Sequence, residues 1–214
     1  LEALVPSASM VFVEANQHPR CTCPVETRNA RMTKELKEKF PDAVLKNVYE
    51  IMADMRQIKK PEEIKALKKA CDITNEGFRE LLRFIRPGVG EWQIEGFLAN
   101  EFISRGPRKF SFLPIIASGK DTCVLHYIQN DKRCEDGDLV LMDIGTEYGN
   151  YNSDMPRTVP VNGKFTPRQR AVYESVLNMM TYAKKILRPG ILKSEYERLV
   201  RVFAAGELVK LGLI

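Results

Sequence analysis

No uninterrupted apolar run among the 214 residues approaches the roughly 18 that a membrane-spanning helix requires. The apolar stretches are short pieces such as Leu139-Val140-Leu141-Met142. A basic segment followed by a long apolar one is also missing, so no secretory signal is visible and no membrane partner is expected. The five cysteines, Cys21, Cys23, Cys71, Cys123 and Cys134, are odd in number and scattered. They do not form a disulfide framework, which points to a reducing, cytoplasmic setting. Histidine is scarce: His18 and His126 are the only two. His18 lies near Cys21 and Cys23, but that spacing fits no standard zinc framework and reads as a surface-loop histidine. No stretch rich in Gly or Ser marks a flexible linker.

What is present is an ordinary globular composition, 44% hydrophobic and 29% charged, with a net charge of +5. The positive residues Lys59, Lys60, Lys65, Lys68 and Lys69 interleave with Glu62 and Glu63 at helical spacing. That pattern is a solvated helix face. With no RNA-binding or zinc-finger signature beside it, no nucleic-acid partner is expected.

Pro61 stands where a helix tolerates proline, and Ile64, Leu67, Cys71, Thr74, Phe78, Leu81 and Ile85 follow at steps of three and four. The spacing predicts a long amphipathic helix stopping at Arg86-Pro87-Gly88. Ile94, Phe97, Leu98 and Phe102 predict a second helix to about Ser104. The plan returns downstream: Thr166-Pro167-Arg168-Gln169 has the form of a capping box, and Val172, Val176, Met179, Met180, Ala183 and Leu187 lead to Arg188-Pro189-Gly190. Ser194 and Glu197 suggest another capping box, opening a helix toward Gly212. The two Arg-Pro-Gly stops lie 102 residues apart. A duplicated unit of two helices followed by a β segment is the preferred reading, residues 110 to 165 being short apolar runs broken by Gly, Pro, Asn and Asp. Residues 1–52, with a strand at Met10 to Val13 and a charged helix from Thr33 to Phe40, read as the end of a smaller α/β domain. Residues 53–214 would then be an incomplete second domain.

Residues 138 to 145 form an apolar strand ending in a carboxylate, and residues 150 to 161 read as its returning partner. A hairpin centred on Tyr148-Gly149 would set Asp143 directly across from Asp154. Two like charges so placed are destabilising unless a cation or a shared proton compensates them, which suggests metal. Oxygen-only ligands suit Mg, Mn or Ca. On spacing alone, an alternative stays open in which both aspartates merely serve turn and strand ends. His126, in Val124-Leu125-His126-Tyr127 near the end of an apolar run, reads first as a structural histidine, as a lone His in such a place usually is, with a site role as the alternative.

Several segments together resemble the M24 metallopeptidases, and within them the Xaa-Pro aminopeptidase branch. They are Leu125-His126-Tyr127, Gly137 to Gly145, Ser153-Asp154, Arg157-Thr158, Pro160 to Phe165, the helix entry Ile58 to Ile64, and Leu208 to Gly212. The resemblance implies an α+β pita-bread fold, with the first αβ half and the helices of the second in this chain. It implies two divalent metal ions, manganese most often in this branch, with Asp143 chelating one and Asp154 bridging both. His126 would face the substrate and assist binding or proton transfer. The substrate would be a peptide with proline in second position, and the assembly a homo-oligomer, dimer or tetramer. The remaining ligands of the family, one His and two Glu, lie in the second β segment, which is not in this chain, so the chain alone is expected to be inactive. Pro156 replaces an apolar or Thr position and is expected to disturb strand pairing. A prolidase, a creatinase-like hydrolase and a non-catalytic peptide- or protein-binding module of the same fold are the rival readings.

Overall fold

The computed structural model describes residues 5, 8, 10–14 and 25–214. His18, Cys21 and Cys23 lie outside the described residues. The chain divides into two compact units, Leu1–Ile64 and Lys65–Ile214.

In the first unit, β1 (Val11–Val13) and β2 (Leu45–Asn47) pair in parallel, with α1 (Arg28–Lys39) as the crossover that a parallel pair demands. Thr27 caps α1 by accepting the Ala30 amide at 3.1 Å. Val5, Val13 and Leu36 form a small core. Helix α2 spans Tyr49–Gln57.

Helix α3 (Pro61–Phe84) begins at the end of the first unit and continues into the second, where α4 (Glu91–Ser104) follows. Strands β3 (Ile115–Ser118), β4 (Leu139–Ile144) and β7 (Met155–Pro160) make an antiparallel sheet in the order β3-β4-β7. Two short strands, β5 (Glu147–Tyr148) and β6 (Tyr151–Asn152), extend the β4–β7 hairpin to its tip. Strand β4 alternates: Val140, Met142 and Ile144 are completely buried, while Leu139, Leu141 and Asp143 point to the other face. Against the buried face pack Ile73, Phe78 and Leu81 of α3 and Ile94, Leu98 and Phe102 of α4, each burial contributing roughly 1.5–3 kcal/mol. The predicted stripe of α3 meets the sheet only in its second half: Thr74, Phe78 and Leu81 are buried as expected, whereas Ile64 and Cys71 are exposed and Ala70, Ile73 and Gly77 complete the buried face.

Helix α5 (Pro167–Ile186) opens with the expected capping box: Thr166 Oγ1 accepts the Gln169 amide at 3.2 Å and Gln169 Oε1 accepts the Thr166 amide at 2.9 Å. Helix α6 (Lys193–Lys210) does not start as expected. Its N-cap is Leu192, whose carbonyl already accepts the Tyr196 amide, so Ser194 lies inside the helix. Glu197 faces Lys193 and Arg201 at the preceding and following turns instead of closing a box. The helix ends in a Schellman turn, with Gly212 at φ 68° and the Leu213 amide bonded to Leu208 O at 3.0 Å. The two helices pack through stacked Tyr182 and Phe203, 4.2 Å between ring centroids.

The duplicated stop is visible as geometry. Val89 N–H reaches Arg86 O at 3.2 Å and Ile191 N–H reaches Arg188 O at 3.3 Å, with Gly88 and Gly190 at φ 88° and 85°. Each is a turn with Pro at its second position and a left-handed Gly at its third, the form of type II.

Candidate metal centre

The carboxylate pair comes from the open end of the β4–β7 ladder. Its register differs from the expected one: Asp143 is opposite Pro156 and Ile144 opposite Met155. The turn is Gly149-Asn150, at φ 59° and 66°, flanked by the pair Tyr148 and Tyr151. Both central residues in the left-handed region make a type I′ turn, whose twist matches that of the strands. Asn tolerates that region as Gly does, and a hairpin centred on Tyr148-Gly149 would have put a tyrosine there. The shift in register is an even number of residues, so Asp143 and Asp154 keep the same face and become diagonal neighbours, with Cβ atoms within about 7–8 Å.

Pro156 does not interrupt the ladder. The Ser153 amide donates to Thr146 O at 3.0 Å, and three steps further along the alternation, Asp143 and Pro156 form a non-hydrogen-bonded pair. The nitrogen of Pro156 therefore faces away from β4, where no ladder bond is lost. The expected disturbance is absent because of this parity.

Around the base of the hairpin is a buried hydroxyl cluster that sequence pattern did not single out. Thr74 Oγ1 and Ser153 Oγ lie 2.7 Å apart, and the Thr146 amide donates to Ser153 Oγ at 2.9 Å. The Ser153 carbonyl accepts from Ser111 Oγ at 2.7 Å, so both polar ends of the residue before Asp154 are held. A side chain on Gly145 would place its Cβ 2.0 Å from Ser153 O, so only glycine lets the strands approach there. Thr74 could be read from sequence only as one more member of a helical stripe.

Asp143 Oδ1 is buried and has no hydrogen-bond partner. Burial raises the Asp143 pKa above the ordinary aspartate range; the Asp154 charge and a hydrogen bond with Asp154 raise it further, while the charge of His126 acts in the opposite direction. His126 is exposed, at φ 55°, and the next residue, Tyr127, is buried at 6% exposure. The structure thus brings Asp143, Asp154 and His126 into one electrostatic neighbourhood. Among the described residues no three His, Cys, Asp or Glu side chains converge as a metal-binding group. An orphaned carboxylate oxygen beside a second carboxylate nevertheless fits a hard divalent cation, for which this pair would supply part of the ligand set.

Residues 65–212 match the model of metallopeptidase family M24. The chain belongs to the M24 metallopeptidase family. It is similar to Xaa-Pro aminopeptidase of Escherichia coli, 42% identical over 166 residues, which are 77% of this chain and 37% of that protein. Xaa-Pro dipeptidase of Pyrococcus furiosus is 34% identical over 82% of this chain and 50% of its own length. A solved structure of zinc-substituted E. coli aminopeptidase P in complex with product matches with a TM-score of 0.84 at 32% identity, covering 97% of this chain and 48% of that one. This M24 chain thus has the α+β architecture of the aminopeptidase P pita-bread fold and spans half, or less, of the length of these relatives. No helix among the described residues is long and apolar enough to cross a membrane.

Proposed function

We propose that this segment carries one side of the active site of a metal-dependent aminopeptidase that releases the N-terminal residue from peptides with proline in second position. The observation that carries this reading is the buried, partnerless Asp143 oxygen beside Asp154 in a chain of this family. Asp143 would hold one of two divalent ions and Asp154 would bridge both, manganese being the ion we favour. When bound, such ions supply a hydrolytic water of lowered pKa and Lewis-acid stabilisation of the developing oxyanion.

The chain's own residues do the rest of the work on this side. Ser153, tied at its hydroxyl and its carbonyl, holds the backbone that presents Asp154. Ile115, opposite Asp143 on β3, gives the pair an apolar neighbour that limits solvation. His126, exposed and near Asp143, is available to donate a hydrogen bond or a proton to the peptide being cut. Proline in second position removes the N–H that other peptidases grip, so recognition must rest on shape and on the groups flanking that bond.

The decisive experiment is release of the first residue from a short Xaa-Pro peptide by the full-length protein loaded with Mn, compared with its Asp154→Ala variant. Activity in the first and its loss in the second is expected; equal rates in both would refute the assignment. The similarity to a Pyrococcus Xaa-Pro dipeptidase favours one second reading, a prolidase. Xaa-Pro dipeptides set against longer Xaa-Pro peptides separate the two. A reducing, cytoplasmic location agrees with Cys71, Cys123 and Cys134 as free thiols, and a homo-oligomeric assembly is testable by sedimentation of the full-length protein.

A further inference from the structure

The loop bearing His126 is fastened by a buried carboxylate that the metal pair does not use. Glu91, the first residue of α4, is completely buried. Its Oε1 accepts from the Ser118 amide and the Ser118 hydroxyl, both at 2.7 Å. Its Oε2 accepts from the Lys132 amide at 3.0 Å and, at 2.9 Å, from the Tyr127 hydroxyl, whose longer contact is 3.2 Å to Asp131 Oδ1. The Glu91 amide in turn donates to Lys132 O at 2.8 Å. One side chain therefore joins the start of α4, the end of β3 and two points of the loop that leads from β3 to β4. Four donors converge on it, which suits a carboxylate and not an amide, since an amide would turn its own NH2 toward two of them. The N-terminal end of α4 adds favourable electrostatics for an anion.

His126 immediately precedes that anchor and sits at φ 55°, a region in which a residue with a Cβ is strained. Such a conformation persists only where its surroundings over-determine it. Here they do so on one side: Leu125 is 92% exposed, His126 is exposed and Tyr127 is 6% exposed. The backbone thus reverses at His126, sending tyrosine inward to Glu91 and histidine outward. Further along, buried Asn130 holds the loop to β3 by accepting the Ile116 amide and donating to Pro114 O, both at 3.0 Å. Asn130 fixes where the loop lies, whereas the Tyr127 hydroxyl fixes how the chain enters it.

We infer that Glu91 is a positioning residue for His126, holding it through the Tyr127 hydroxyl in the left-handed, outward-facing conformation that places it beside the carboxylate pair. The inference rests on the reading of His126 as the substrate-facing group, and its test is built so that the two stand or fall separately. Glu91→Gln leaves donors facing a donor, and Tyr127→Phe removes one hydroxyl with the ring unchanged, so the second variant guards against a simple failure to fold. In isotope-labelled chain, the backbone coupling and 13C shifts of His126 report the sign of its φ, and the amide shifts of Leu98, Val140 and Met142 report the core. Both variants are expected to keep the core shifts and lose the positive-φ signature at His126. In the full-length protein they are expected to lower kcat about tenfold or more with KM within about twofold. Retention of the signature in both variants overturns the inference, as does its loss only together with the core shifts. Loss of the signature with kcat unchanged also overturns it and leaves the peptidase reading intact. A wild-type protein without peptidase activity defeats that reading instead, and the φ comparison still decides whether Glu91 sets the conformation of His126.

Discussion

Asp143 and Asp154 share one face of the β4–β7 ladder as diagonal neighbours, because Asp143 is paired with Pro156 and Asp154 lies two residues short of that partner. The offset spares the sheet a direct like-charge pair. It still leaves Asp143 Oδ1 buried with no donor to meet it.

The metal-free chain should therefore gain from losing the Asp143 charge. Burial first, and the Asp154 charge second, raise the folded pKa of Asp143 above its unfolded value. For an acid shifted that way, the stabilising contribution is full below the unfolded pKa and is lost as pH rises through the folded one. Asp143→Asn is expected to stabilise the metal-free chain at neutral pH, because it removes the charge that burial and Asp154 disfavour. Below the ordinary aspartate pKa of about 3.9 it should be close to neutral. Urea unfolding at the two pH values checks this, and a destabilised variant at neutral pH would contradict it.

Manganese should reverse the order. A cation that binds only the folded pair stabilises by mass action, about 1.4 kcal/mol at ten times its Kd. With two carboxylates as the proposed ligands in this segment, the rise in melting temperature should require millimolar metal and should vanish in Asp143→Asn. Magnesium offers the same charge with a stricter geometry and should act more weakly. A micromolar response that survives Asp143→Asn would place the cation elsewhere.

Gly145→Ala tests the close approach beneath Asp154. Its Cβ would meet a backbone oxygen, Ser153 O, at 2.0 Å, so no flexible side chain can yield. A loss of about 1–3 kcal/mol is expected, with NMR shifts concentrated at Ser111, Ser153 and Asp154. A variant as stable as the parent would mean that the strands separate there without cost.

The duplicated turns should respond alike. Gly88 and Gly190 both have positive φ and open space where a side chain would go. Alanine at either place is expected to cost about 1–2 kcal/mol through backbone strain alone. Thermal unfolding of the two variants checks the equivalence; a cost at one turn and none at the other would show that the repeated tripeptide does not do the same work twice.

Local rules made much of this protein legible from its residues: the Thr74, Phe78 and Leu81 part of the α3 stripe, the capping box of Thr166 and Gln169, the two Arg-Pro-Gly stops and the shared face of Asp143 and Asp154. Each depends on neighbours within a few positions, or on a period of two or 3.6, and these the chain carries by itself. The resemblance of residues 125 to 165 to a metallopeptidase family was carried by those segments as they stand in the sequence, whereas spacing alone left the roles of Asp143 and Asp154 open. Tertiary structure decided what depends on partners distant in sequence. It chose Gly149-Asn150 as the turn, because strand twist favours a type I′ hairpin over the alternative centre. It made Pro156 harmless by parity, started α6 ahead of Ser194, and gathered Thr74, Thr146 and Ser153 from two elements around one strand end. Nothing local marks Glu91 as more than an acidic residue in a first helical turn. Its role arises only where a helix start, a strand end and a loop meet in a place without water, and every donor there must find an acceptor.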